Sequence, residues 1–410
     1  MGKKKKKYIC FYDEAFHDRK ITESKQKGQM NIENKDNGDN FFTAKIIFLE
    51  HQHEKYIKLF NEFENQAKNI LGIDFSTEFK GTTIKKANFK NGVSSFNKNT
   101  LKIYNDFFDL IDDNWIFQIS VMNKFEHVIN SILANSSLSY MADEKAFRYS
   151  LSKFLNQYRN EELVSVLFDP NSTINKIYNC IVNLLTDVES NIEGIKRKEE
   201  EVRAIQQMRF IMSNSLLNLE SKEKYEWDYS HSLNGLVFLL EEKNIKINSV
   251  NLYIDREERT ESLAKQHFNF KTVKGVDSEE CSGVRIADIF SNFIGRFVKS
   301  IDDEYLEDWD EADTKDKLAE RRILNLEWFN LTNEQFELYK KIANVFYARK
   351  DIFWTVQTGL YWGHFGVFMS LIYYFLRYDN FDEYQNYSYE EHREQFNLFC
   401  LQREEEMHQR

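Results

Sequence analysis

Apolar positions in this chain cluster in short strand-like runs near the start and fall into helical spacing over most of the remainder. Tyr8 to Asp13 is an apolar run ending on an acid and predicts a buried strand. Phe41 to Glu50, rich in Ile and Phe, predicts a second strand, and the alternation from Trp115 to Met122 a third. Ser249 to Asp255 predicts another, and residues 268–274 a further short one. Residues 17–40 are polar, with Gly28, Gly38 and several Asn, and predict a long loop. Ile57, Phe60, Phe63 and Ala67 set helical spacing over 51–70, and a second helix is predicted near 100–113. From 124 to about 245 the pattern is mainly helical, and the charged run Ile195–Glu201 reads as a solvated helix face.

The segment Gly283 to Val298 gives the clearest helical pattern. Its apolar stripe is Ile286, Ile289, Phe290, Phe293, Ile294 and Phe297. Another face carries Val284, Asp288, Ser291, Asn292 and Gly295, which are small or polar. Such a face lets a helix lie close to a sheet, with Asp288 toward the strand tips. Beyond it, residues 302–316 read as an acidic linker, followed by helices to the end. The expected organisation is a mixed α/β domain over 1–300, with a helical insertion at about 124–245, and a helical C-terminal domain over 301–410.

Composition narrows the function classes. Aromatic residues are 15% of the 410, with 35 Phe and 21 Tyr, so apolar area for a core is ample. A single proline and 14 glycines favour helices over a loop-rich β-sandwich. The net charge of −11 counts against a nonspecific nucleic-acid binder, although local basic patches could still serve. Cys10, Cys180, Cys281 and Cys400 are far apart and form no CxxC pair, which fits reduced thiols in a cytoplasmic protein. Lys3 to Lys7 form a basic tail with no signal-peptide h-region after it, so no secretion signal is expected. There is no Walker A, GxGxxG or nucleophile-elbow motif.

The acids are the informative residues. Asp13 and Asp255 each end an apolar strand, and an acid there loses hydration without gaining packing. Several such acids suit a divalent cation held by oxygen ligands. Asp13 shares parity with Ile9 and Phe11; Glu14 points the other way and is the second choice. Glu78 and Lys80 sit in a short irregular stretch, where Lys80 could contact a phosphate or balance the acids. Two-ion phosphoryl-transfer sites need three or four carboxylates. Taken singly, each of these acids reads as structural rather than catalytic; the strand-end placement of two of them and the small-faced helix favour a site when they are taken together.

Four segments carry a resemblance: Tyr12-Asp13-Glu14-Ala15, Glu78-Phe79-Lys80-Gly81, Tyr253-Ile254-Asp255 and Gly283-Val284-Arg285-Ile286-Ala287-Asp288. In order and spacing they resemble a bacterial family called domain of unknown function 3800, similar in fold to RNase H and retroviral integrases. The resemblance implies an RNase H-like mixed sheet with a carboxylate site for Mg²⁺ or Mn²⁺, and a nuclease of the kind found in phage-defence gene sets. It assigns Asp13, Glu78, Asp255 and Asp288 as metal ligands and catalytic residues, with Lys80 as a further site position. The chain departs from the pattern at Ala15 and Phe16, where the family has a hydroxyl residue and then Gly, and at Arg285, where Gln is common.

Other signals are weaker. Lys85, Lys86, Lys90 and Lys98, with Phe89 and Phe96 between them, could guide a nucleic-acid backbone, or form a solvated basic loop. Residues 352–376 hold no charged side chain, and Gly359 and Gly363 make a GxxxG. Polar Thr355, Gln357, Thr358 and His364 favour a buried helix or an oligomer seam over a membrane span. Two functions are therefore expected to compete. One is a metal-dependent nuclease. The other is an inactive RNase H-like module that binds nucleic acid or a partner protein, with self-association through the C-terminal aromatic helices.

Overall fold

The computed structural model describes residues 6–16, 20–26, 28–33, 40–138, 143–227, 229–311, 323–348, 353–358, 360 and 362–408. Its strands, in chain order, are β1 (Tyr8–Ala15), β2 (Lys20–Thr22), β3 (Asn40–Leu49), β4 (Ile116–Asn123), β5 (Lys224–Glu226), β6 (Val250–Asp255), β7 (Thr272–Val276) and β8 (Phe353–Thr358). The main sheet has the order β7-β6-β1-β3-β4-β8, while β2 and β5 form a separate ribbon. β3 is antiparallel to β1 and β4; the pairs β1–β6, β6–β7 and β4–β8 are parallel. The fold is mixed α/β, with a large helical insertion and a mainly helical C-terminal region.

Ten helices precede residue 312 among the described residues: α1 (His53–Leu71), α2 (Lys98–Asp109), α3 (Lys124–Ile132), α4 (Glu144–Tyr158), α5 (Glu161–Phe168), α6 (Ile174–Ile192), α7 (Glu199–Ser213), α8 (Ser230–Glu242), α9 (Glu258–His267) and α10 (Ser282–Glu311). Alternation along β1 explains how they are distributed. Ile9, Phe11 and Ala15 join the core formed with α1, α2 and α10, whereas Cys10 and Tyr12 join Leu233, Leu236 and Leu240 of α8 on the other face. A strand covered on both faces needs a near-continuous apolar run, which β1 has. The insertion packs α3–α7 around its own cluster, which includes Leu155, Leu167, Ile181 and Ile205.

α10 crosses β1 and β3 on its small-residue face, and its predicted apolar stripe is buried. Close approach is enforced at Gly295, where a Cβ would stand 2.5 Å from the Phe16 ring. Phe16 itself has φ 58°, the left-handed region that favours glycine. The helix outruns its predicted end at 298. No Gly or Pro interrupts the acidic stretch from 302, Ile301 is buried, and Lys299 reaches Asp302 at 3.2 Å, so helix continues to Glu311 where a linker was expected. Residues 312–316 of that expected linker lie outside the described residues.

Two further expectations differ from the structure. The loop over 17–40 contains β2 and a 3₁₀ turn, Asn31–Glu33. The uncharged segment 352–376 holds β8 followed by the helix Trp362–Tyr374, where a helix alone was expected. Trp354 to Gln357 alternate apolar and polar, as a strand does, and β8 is placed by pairing Phe117 to Met122 of β4 with Phe353 to Thr358. Among the described residues no helix is long and apolar enough to cross a membrane. The C-terminal helices share the main core: Phe297 of α10 lies 6.1 Å from Trp328, 6.1 Å from Tyr339 and 5.2 Å from Phe368.

Candidate metal centre

The register of β1 against β6 pairs Tyr12 with Ile254, so Asp13 and Asp255 stand side by side where that parallel pairing ends; Asp255 closes β6, whereas β1 runs two residues beyond Asp13, to Ala15, on its ladder with β3. α10 brings Asp288 to the same end. Glu78 and Lys80 arrive on the irregular segment after α1, which Gly72 terminates in a left-handed conformation (φ 66°). Asp13, Glu78, Lys80, Asp255 and Asp288 line one cavity of about 270 Å³, together with Tyr12, Glu14, Ile254, Arg256, Glu257 and Ser278. Lys85, Lys86 and Lys90 are exposed and do not line it. Phe89 and Phe96 are core residues, 1% and 5% exposed, so they offer no stacking surface among those lysines.

Each acid is held by its own contacts. Asp288 Oδ2 accepts from the Gly81 N–H at 2.6 Å and Oδ1 accepts from Asn292 Nδ2 at 2.7 Å. Glycine is required at 81, because a Cβ there would meet Asn292 Cβ at 2.4 Å. Asp13 Oδ1 accepts from the Glu14 N–H at 2.7 Å, and Asp255 Oδ1 from the Arg256 N–H at 2.9 Å. Glu78 Oε2 pairs with Lys80 Nζ at 2.9 Å, while Glu78 Oε1 is buried and has no hydrogen-bond partner among the described residues.

Burial and mutual repulsion set the electrostatics. Burial, then the charges of Asp288 and Asp255, push the Asp13 carboxyl well above the usual carboxylate range, against the opposing pull of the Glu14 N–H. Burial raises Asp288 to about 6, although the Gly81 N–H and Lys80 lower it. Burial also pulls the Lys80 ammonium down, but its bond to Glu78 and the charges of Glu78, Asp288 and Asp255 outweigh this, and it stays above its ordinary value.

Glu14 and Glu257 were not in the expected ligand set, yet both line the cavity. Strand alternation does send Asp13 and Glu14 to opposite faces, but the cavity wraps around the strand tip and meets both. Burial and then the charge of Glu257 raise Glu14 to about 8, and its carboxylate accepts from the Tyr12 hydroxyl at 3.1 Å. Glu257 caps α9, accepting from the Arg259 N–H at 3.2 Å. An acid just before a helix was the only sequence signal for it, and that signal points to capping.

The donor chemistry suits a hard divalent cation, since carboxylate oxygens dominate the lining. The unpartnered Glu78 Oε1 and the raised Asp13 and Asp288, buried and mutually repelling, are groups that a cation would stabilise. As the side chains stand, however, no three His, Cys, Asp or Glu groups among the described residues close around one point tightly enough to hold an ion. One or both oxygens of each acid are engaged with an N–H group, with Asn292 or with Lys80. The acids fit the group in chemistry and burial, and binding would require some of them to exchange these contacts. No family model, no curated protein and no solved structure matches this chain.

Proposed function

We propose that this protein is a metal-dependent nuclease of RNase H-like fold that hydrolyses phosphodiesters in the cavity at the tips of β1 and β6. The observation that carries the reading is the meeting of Asp13, Glu78, Asp255 and Asp288, from four separate segments, at one cavity. The strand order supports it: one antiparallel strand beside β1, parallel strands on its other side, and the acids at the strand ends as the resemblance implies. Phage defence rests on that resemblance alone.

Asp13, Glu78, Asp255 and Asp288 would hold Mg²⁺ or Mn²⁺. When bound, such an ion supplies charge stabilisation at a phosphoryl oxygen and lowers the pKa of an attacking water. Gly81 and Asn292 fix the orientation of the Asp288 carboxylate. Lys80, half exposed at the rim, can leave Glu78 for a substrate phosphate. The exposed Lys85, Lys86 and Lys90 follow Lys80 in the chain and offer charge to a nucleic-acid backbone.

The test is cleavage of DNA and RNA with Mg²⁺ or Mn²⁺ by the full chain and by Asp255→Asn/Asp288→Asn. Losing ligands should reduce activity by more than the roughly 10–100-fold typical of outer-shell changes. Equal activity in the double variant would sink the reading. A second reading, an inactive module that binds nucleic acid or a partner protein, is favoured by the Lys80–Glu78 pair, which already supplies a cation to the cavity. It gives no carboxylate-dependent heat when Mn²⁺ is titrated.

A further inference from the structure

Three buried charged side chains lie behind the acid cavity and do not line it: Glu64 and Lys68 on α1, and Arg285 on α10. They are 5%, 6% and 8% exposed. Buried ionic groups persist only with partners, so what they hold is informative. Lys68 Nζ pairs with Glu64 Oε1 at 3.0 Å and donates to the Phe75 carbonyl at 3.2 Å. The same Glu64 Oε1 accepts from the Phe79 N–H at 3.4 Å. The contacts to Phe75 and Phe79 bracket Glu78.

Glu64 Oε2 accepts from Arg285 Nη2 at 2.9 Å. The guanidinium extends the network to the other rim. Its Nη1 donates to the Ser278 carbonyl at 2.6 Å and to the Glu279 carbonyl at 3.0 Å, and Ser278 lines the cavity. Arg285 lies one turn before Asp288 on α10 and stacks over the Phe60 ring at 6.0 Å. Its planar fork can reach two carbonyls and a carboxylate at once, which a lysine could not do.

We infer that Lys68, Glu64 and Arg285 are positioning residues: they lock the Glu78 segment and the Ser278 loop at fixed distances from Asp288, and so set the affinity of the cavity for a divalent cation. This rests on the metal-binding reading above. A positioning role differs from plain support of the fold because the network holds backbone on both sides of the cavity, from behind it. Groups that orient ligands in this way typically change metal affinity by roughly 10–100-fold when removed.

The experiment titrates Mn²⁺ into the full-length wild type, Glu64→Gln and Glu64→Leu/Lys68→Met/Arg285→Met by calorimetry, with amide hydrogen exchange over 75–81. The triple variant removes all three buried charges together, so that no ion of the network is left unpaired. The expected result is weaker Mn²⁺ binding by roughly 10–100-fold in both variants, faster exchange at Phe79, and recovery of part of the affinity in Glu64→Asp. Wild-type Mn²⁺ affinity and unchanged exchange in the variants, even with a lowered melting temperature, would overturn the positioning role and leave the metal reading standing. If the wild type itself shows no Mn²⁺ binding that Asp288→Asn abolishes, the metal reading falls and the positioning role falls with it.

Discussion

His392 and its tyrosines form one buried polar cluster, in the C-terminal helices; the acid cavity is another. They are completed in different ways. His392 Nε2 lies 2.9 Å from the Tyr384 carbonyl, so that nitrogen carries the proton and donates. Nδ1 therefore accepts, from the Tyr374 hydroxyl at 2.9 Å, while the neighbouring Tyr378 hydroxyl donates to Gln395 Oε1 at 3.2 Å. The Tyr384 ring stacks on the imidazole at 3.8 Å, and its hydroxyl donates to the Phe329 carbonyl at 2.7 Å. Neutral groups here satisfy one another within the chain. In the cavity, like charges face one another, one buried oxygen has no hydrogen-bond partner among the described residues, and three carboxyls are forced upward in pKa. A closed polar cluster stabilises the fold; one in which like charges face one another costs stability that a bound cation would offset.

The largest effect that would sharpen this contrast is in the closed cluster. Tyr384→Ala should destabilise the protein by about 3–5 kcal/mol in urea unfolding, as large aromatic truncations do, and leave Mn²⁺ binding intact. In the incomplete cluster the sign should reverse. Asp288→Asn removes a carboxylate that must be charged at neutral pH despite a pKa raised to about 6. Without divalent cation it should raise stability by on the order of 1–3 kcal/mol at pH 7, read as a higher melting temperature in EDTA. A lower one would break the comparison.

Acid should separate the two as well. Burial lowers His392 to about 4, against about 6.5 in an unfolded chain. Its contribution is present above the unfolded value and is lost as pH falls from about 6.5 toward 4. Asp288 is the opposite case: with its folded pKa raised, its contribution is full below about 4 and is lost as pH rises through 6. His392→Gln should flatten the acid loss, and Asp288→Asn should steepen it, by on the order of 1 kcal/mol each across pH 6.5 to 4.5. The smallest effect is at the rim. Lys80→Met removes a competing ammonium that is 44% exposed, so Mn²⁺ should bind a few-fold more tightly, within the ~0.2–1 kcal/mol of an exposed pair.

Much of this was legible in the sequence, for identifiable reasons. β1 and β6 end their apolar runs on acids, and α10 pairs a bulky stripe with a small face, so Asp13, Asp255 and Asp288 could be named from local pattern. Glu78 lacked such a pattern and was reached through resemblance. Glu14 ranked only second and Glu257 was passed over because strand alternation and capping describe single elements, whereas the cavity curves around a tip that two strands share. Phe89 and Phe96 looked like stacking residues among lysines because sequence spacing does not tell an exposed turn from one folded back onto Phe293 and Tyr104. β8 was hidden for the same reason, since its partner β4 lies more than two hundred residues earlier.

That distant pairing has a consequence for synthesis. As the chain emerges from the ribosome, β4 is available long before residues 353–358 exist, so its outer edge waits unpaired while the insertion and the rest of the sheet are made. An unpaired edge is a template for association between chains. A full-length Val356→Pro chain, which keeps the C-terminal helices but interrupts the β8 ladder opposite Ser120, should precipitate where the wild type does not.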